Sequence, residues 1–515
     1  MQTPTATGAS EDAAARATAP WWKRLAVALA VTGLVWAVVI TVWRASDTRP
    51  LAADLFWWLL MLPLALLLGL HLLRTGIARR RQRSAAAPAG SDIAQPPSER
   101  VDAAGDTACL HLHAHAMRVC IGSSADEAWT AMPLAARPGL HADLRDSYGF
   151  PVFAAPVADV EYEVDAVRDA LHAIAPDDAV EQWDDELLRA FALLEPVTVE
   201  LLQADFVARF AGDAEAPRDD TALPGYVYAH SRSVRASPTT ARPLLHVHLL
   251  LPAQWPVRTR ELAAARLHST AHDLGYEAAD FELHEMSVAR VGDVWRLLER
   301  IRLEPPRVAG DRTLVIAAQS FIGARSVEQF EYDERLFRSA QPDGRIPGEA
   351  AAGLLFGAGP GDALGGAVQL HRLCEDRASR EGRGNRAAIG ATAALCERAL
   401  AAARQPADRI CALVSDADQR SSRAVEAAGA LAAAFPGLEP DVHGAHIGIA
   451  CGDIGVAAPA VLIALASARA TRAQAPVLLL SVAEDAARIA FVITPSTVPP
   501  AETEDSIAAT PSTRM

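Results

Sequence analysis

The sequence predicts an α/β body carried on a membrane hairpin of two helices, and three observations lead there. Two uncharged apolar runs of 19 residues lie close together near the N-terminus, at 25–43 and 55–73. Short apolar runs of strand length then alternate with alanine-rich helical stretches over most of the remaining chain. Charge is also divided: of 48 basic and 63 acidic residues, 11 and 6 fall in positions 1–100, leaving 37 and 57 beyond. The first fifth is therefore about +5 and the rest about −20, within a formal net charge of −15.

With 515 residues, 51% of them hydrophobic and 22% charged, the chain is too apolar for a disordered protein and too long for one small module. No basic stripe follows residue 100, which argues against nucleic acid as the main partner. Six cysteines (Cys109, Cys120, Cys374, Cys396, Cys411, Cys451) without CxxC spacing read as reduced, packed thiols rather than a disulfide framework or a zinc site.

In chain order, residues 1–20 form a tail and 21–75 hold the two spans. Each run of 19 residues is long enough to cross a hydrocarbon core of roughly 30 Å. A signal peptide does not fit, because the first apolar run is long, a second follows it, and no small-residue cleavage pattern lies between. Tryptophans near the run ends, Trp21, Trp22, Trp43 and Trp57 among them, suit the membrane interface. Lys23 and Arg24 precede the first span, and Arg74, Arg79, Arg80, Arg81 and Arg83 follow the second. The positive-inside rule then places both termini and the body in the cytoplasm of a bacterial inner membrane. The partner expected of this region is the lipid bilayer. Residues 76–104 are a basic stretch followed by an Ala, Pro and Ser-rich tether, and 496–515 read as a disordered tail.

Within the body, LVIAAQS (314–320) and PVLLLSV (476–482) read as strands buried on both faces, and 385–405 and 421–435 as helices. The stretch 476–495 reads as a closing hairpin at a sheet edge.

Two pieces of this body carry a resemblance. TLVIAAQSFIG followed by RLFRSAQPDGRIPGEAAAGLLF resembles the ketoacyl synthase segment in which a strand leads to a P-G-E-G-A-A-A block, here Pro347, Gly348, Glu349, Ala350, Ala351 and Ala352. The run from Cys451 to Pro495 is similar to the G-(H or N)-T-x-A-A region, helix and closing strands of the thiolase-like fold. Together they cover about 180 residues in the right order. The resemblance implies a thiolase-like body of two related βαβαβαβ halves, 105–345 and 346–495, and a homodimer.

The expected condensing chemistry needs a cysteine at a helix N-terminus, where backbone N–H groups favour the thiolate, plus two His or a His and an Asn to polarise a thioester. This sequence departs at all three positions. The nucleophile is expected near Met286 or Ser287, in HEMSVARVGD, which has no Cys; the segment LVSDADQRSSRAVE expected to hold the first downstream His has none and offers Asp416; and the last position is Asp453. A carboxylate there repels a developing enolate oxygen. A narrower relative is the type VI secretion lipase adaptor family, whose C-terminal motif resembles Gly452, Asp453, Gly455, Val456, Ala457, Ala458 and Pro459 here. That resemblance implies a non-enzymatic adaptor with no cofactor, receiving a secreted lipase effector or a spike protein.

The other constellations have plainer readings beside them. His111, His113 and His115 alternate along one strand, as do His246 and His248. Paired side by side, these strands would give a His-rich face, a weak metal candidate against the plainer reading of a polar sheet face. The acidic run 177–186 suits a helix start. FGAGPGDALGGA lacks the Lys-Ser/Thr end of a phosphate loop and reads as flexible. The expected function is thus a membrane-anchored, non-catalytic adaptor that binds a protein. The alternative is a ketosynthase-like acyl-thioester binding or transfer enzyme with its nucleophile moved to Cys451 or Ser287.

Overall fold

The structure is a computed structural model that describes residues 108–132, 137–176, 183–214, 243–304, 308, 310–357, 359, 368–377, 385–485 and 487–496. Both expected spans, the tether, the C-terminal tail, the first part of the acidic run and most of the glycine-rich stretch lie outside the described residues.

The first half opens with β1 (Leu110–Val119) and α1 (Ala125–Ala131), whose N-cap Ser124 accepts a hydrogen bond from the Glu127 amide. A ribbon of β2 (Gly139–Arg145) and β3 (Pro151–Ala154) leads to α2 (Val160–Ile174) and α3 (Asp185–Ala214). Helix α3 begins on Asp185 and Glu186, so the acidic run does end in a first helical turn. Strand and helix then alternate as β4 (Leu245–Pro252), α4 (Val257–Asp273), β5 (Phe281–Val288), α5 (Val291–Leu303), β6 (Arg312–Ser320), α6 (Ala324–Tyr332) and β7 (Glu349–Gly357). The second half comprises β8 (Val368–Leu370), β9 (Cys374–Arg377), α7 (Asn385–Ala403), β10 (Ala412–Ser415), α8 (Ser421–Ala434), α9 (Pro440–His443), β11 (Gly444–His446), α10 (Ile447–Cys451), α11 (Ala458–Ala473), β12 (Val477–Ser481) and β13 (Ala487–Pro495).

The strand order is β11-β10-β12-β13-β8-β1-β7-β6-β4-β5. Numbered from its own first strand, each half reads 1-5-4-2-3. Pairings repeat as well: β1 with β7 and β7 with β6 are antiparallel while β6, β4 and β5 are parallel, and β8, β13, β12, β10 and β11 follow the same sequence. The body is a duplication, as expected. The halves divide after Gly357 rather than between 345 and 346, because β7 pairs with β1 and β6 of the first half.

Alternation along the strands builds the layers. Val315, Ala317, Ala352 and Leu354 face inward with Val414, Leu479, Phe491 and Ile493 of the other half, and helices α5 and α11 fill the space between. Trp295 of α5 meets Phe491 edge to face at 5.7 Å between centroids. The opposite faces, Val247, Leu249, Leu314 and Ile316 in one half and Leu413, Leu478, Leu480 and Val492 in the other, are covered by α3 and by α7 with α8. Each such buried aliphatic side chain contributes about 1.5–3 kcal/mol relative to exposure. Among the described residues one segment, Gly455–Ala473, is long and apolar enough to cross a membrane, and 78% of it is buried inside the protein. It is the core helix of the central layer.

Two expectations are corrected here. The hairpin β12–β13 is internal, not at an edge: β12 is flanked by β10 and β13 by β8, and residues 477–481 and 488–494 are buried. The strands β1 and β4, which carry the two histidine series, do not pair; β7 and β6 lie between them.

Candidate functional site

The site grows from three chain segments brought to the ends of β10, β7 and α10. Strand β10 ends at Ser415 and delivers Asp416; α10 ends at Cys451 and turns through Gly452, at φ +66°, into Asp453; the run Ile346–Gly348 lies alongside. The contact is close. The Asp453 amide donates to Ile346 O at 2.8 Å and the Gly348 amide to Asp453 O at 3.1 Å. A Cβ on Gly348 would sit 1.9 Å from Cys451 O. The motif glycines are thus required by backbone packing.

The acids are not free. Asp453 accepts from Arg345 Nη1 at 2.6 Å and from the Gly455 amide at 3.0 Å. Burial opposes its ionisation, but Arg345 and the Gly455 amide prevail and hold the carboxyl below the ordinary range. Burial also works against Arg345, yet Asp453 raises its pKa. Asp416 is fully enclosed. It accepts from the Ser481 hydroxyl, the Val482 amide at 2.6 Å and the Ala483 amide at 3.0 Å, yet burial dominates and pushes its carboxyl up.

These groups line a cavity of about 40 Å³ together with Asp418, Glu484 and Val291 at the start of α5. That space holds water and little else. Of the three expected positions, the structure brings Asp416 and Asp453 together. Ser287 is exposed at the end of β5 and does not line the cavity; the helix N-terminus presents Val291 instead. Cys451 lines it neither. Its thiol is buried, packed 3.1 Å from Cys120 Sγ, and burial raises its pKa well above the usual thiol value. The centre therefore offers no thiol and no room for an acyl chain among the described residues.

The remaining motif residues are structural. Glu349, wholly buried, accepts from Arg189 Nε at 2.9 Å, the Val157 amide at 2.7 Å and the Ser320 hydroxyl at 2.7 Å, tying β7 to α3 and β6. Pro459 sits in the first turn of α11, where its missing N–H has no intrahelical partner to lose. Sequence reasoning missed Arg345, whose only signal was its place two residues before Pro347. It also missed Cys120, the neighbour of Cys451, since nothing in the spacing joins residues 331 apart. All six cysteines are unbridged in the structure.

No protein-family model matches the chain, and no curated protein matches it. Ketosynthases are among the solved structures that it is similar to. The ishigamide ketosynthase/chain length factor shares 15% identity at a TM-score of 0.43, over 75% of this chain and 99% of that one. A beta-ketoacyl synthase from Burkholderia phymatum STM815 shares 12% at 0.45, over 76% and 100%. The ketosynthase from module 1 of the bacillaene synthase of Bacillus amyloliquefaciens FZB42 shares 11% at 0.46, over 79% and 75%.

Proposed function

We propose that this chain is a ketosynthase-like protein that binds rather than condenses. The observation carrying the reading is the centre itself: a cavity of about 40 Å³ closed by the Arg345–Asp453 ion pair, with Val291 at the helix N-terminus and no thiol. Condensation needs a nucleophile to take the acyl group and donors to stabilise an enolate. In this reading the carboxylates of Asp416 and Asp453, which line the cavity, stand in for such donors.

Two ligand classes fit a binding body. The names of the similar structures favour an acyl thioester, and one feature outside the centre suits it. Cys120 lines an open cleft of about 430 Å³ with Ile121, Pro138, Ala155 and Ala450, large enough for a short acyl chain beside a thiol. Cys451 and Ser287 are poorer nucleophile candidates, the first sealed in the core and the second on an exposed strand end. The other class is a protein partner. The motif from Gly452 to Pro459 motivates the finer reading of a membrane-held adaptor for a type VI secretion lipase effector or spike protein. In that reading residues 25–43 and 55–73 anchor a cytoplasmic body.

The test is to extract the full chain from bacterial membranes in mild detergent, incubate it with acyl-coenzyme A and malonyl-coenzyme A, and analyse products and intact mass. The reading expects no β-ketoacyl product. Formation of that product at a rate abolished by substituting a residue of this cavity would overturn it. A stable acyl adduct on Cys120 supports the acyl-thioester class, and co-purification of a lipase or spike protein without an adduct supports the adaptor.

A further inference from the structure

The edge pair β4 and β5 carries a cluster that the cavity chemistry does not use. These strands are parallel, with His246 opposite Glu282 and His248 opposite His284. Side chains two apart on one strand share a face, so all four project from the same side of the sheet. The other side carries Leu245, Val247 and Leu249, buried in the outer core.

On that shared face His246 Nδ1 lies 3.3 Å from Glu282 Oε2, and His284 Nε2 lies 3.7 Å from the same oxygen. One ligand atom from each of His246, Glu282 and His284 falls within 4.8 Å of the other two. A tetrahedral divalent ion with bonds of about 2.0–2.2 Å holds its ligands roughly 3.4 Å apart. Two of the separations, 3.3 and 3.7 Å, already approach that value, and the third lies within 4.8 Å. We propose that His246, Glu282 and His284 form a binding site for a borderline divalent transition ion of the Zn²⁺ class, with one coordination position left for water or an exogenous ligand.

Donor chemistry selects the ion. Two imidazoles and one carboxylate suit zinc and its neighbours, whereas calcium and magnesium require oxygen donors. Access is provided by the sheet edge: Glu282 and His284 are half-exposed on β5, the last strand, and His246 is the more buried member. His248 supports the arrangement. Its ring stacks on His284 at 5.1 Å between centroids and limits how that imidazole can turn. The site needs both strands: Glu282 and His284 stand two residues apart on β5, and His246 comes from the neighbouring strand β4.

The experiment uses the full chain, purified without a polyhistidine tag, stripped by chelator and titrated with Co²⁺ while visible absorption is followed. One equivalent should bind with the d–d bands of a low-coordinate ion, and Zn²⁺ should bleach them. Glu282→Gln, at an exposed position that leaves the fold unaffected, should weaken binding at least about tenfold, as should His284→Ala. His111→Ala, on β1, should bind as the wild type does. The proposal is overturned if the wild type shows no such spectrum, or if Glu282→Gln and His284→Ala bind Co²⁺ as tightly as wild type. In the latter case the metal sits elsewhere, and the four side chains are a polar sheet face.

Discussion

Arg345 Nη1 reaches across 108 residues of sequence to donate to Asp453 Oδ2 at 2.6 Å, and both side chains are mostly removed from solvent. Replacing Arg345 by Ala leaves a buried carboxylate without its counter-ion, a loss on the order of 3 kcal/mol. Urea unfolding at pH 7 should show a lower midpoint with an unchanged slope. The pH dependence has a definite sign: Asp453 is depressed in the folded state, so its stabilisation is present above the unfolded carboxyl pKa and lost as pH falls through the folded value. Arg345→Ala should flatten that acid limb. An unaltered midpoint at pH 7 would mean that the pair adds nothing net.

Asp416 has the opposite sign. Its folded pKa is raised by burial, so the native state is favoured while the group is protonated, and stability falls as pH rises from the unfolded value through the folded one. Asp416→Asn keeps an oxygen for the Val482 and Ala483 amides and can donate to Ser481. The variant should match or exceed the wild type in thermal midpoint at pH 8 and lose that advantage near pH 4. A marked destabilisation at pH 8 would show that the ionised carboxylate is needed there.

Gly348 allows no side chain. The Cβ of an alanine would overlap Cys451 O, and both groups are backbone or backbone-fixed, so relief requires separating the segments that build the cavity. Gly348→Ala should cost at least about 3 kcal/mol, the upper end of overpacking. Gly359→Ala, where a Cβ meets nothing within 4 Å, should be near neutral and serves as the control in the same denaturation series.

Cys120 and Cys451 are the thiols placed to react with each other. Under a mild disulfide-forming oxidant, peptide mapping should recover a Cys120–Cys451 link before any other. Cys396, buried with its thiol pushed up to about 12, should remain unmodified in the native protein. Early labelling of Cys396, with Cys120 and Cys451 still reduced, would contradict this packing.

Much of the fold could be read from the chain because its signals are local. The runs at 314–320 and 476–482 are apolar on both faces, which a strand shows only when covered on both sides, and they lie within β6 and around β12. Helices at 385–403 and 421–434 start where the sequence suggests and stop within two residues of it. The division between halves was misplaced because the P-G-E block precedes β7 without saying which strands β7 will join. The histidine series shows the same limit. Alternation put His246 and His248 on one face, but their neighbours Glu282 and His284 depended on β5 becoming the edge partner of β4.

The sequence by itself determined much of the strand and helix content and the presence of six cysteines without CxxC spacing, since these follow from periodicity and residue identity. Tertiary structure alone decided that Asp416 is sealed among amide donors, that Asp453 has Arg345 as a counter-ion, and that the cavity they line measures about 40 Å³. Volume, burial and charge partners are properties of segments that meet only when the chain folds. A carboxylate's chemistry depends on those neighbours far more than on its own position in the sequence.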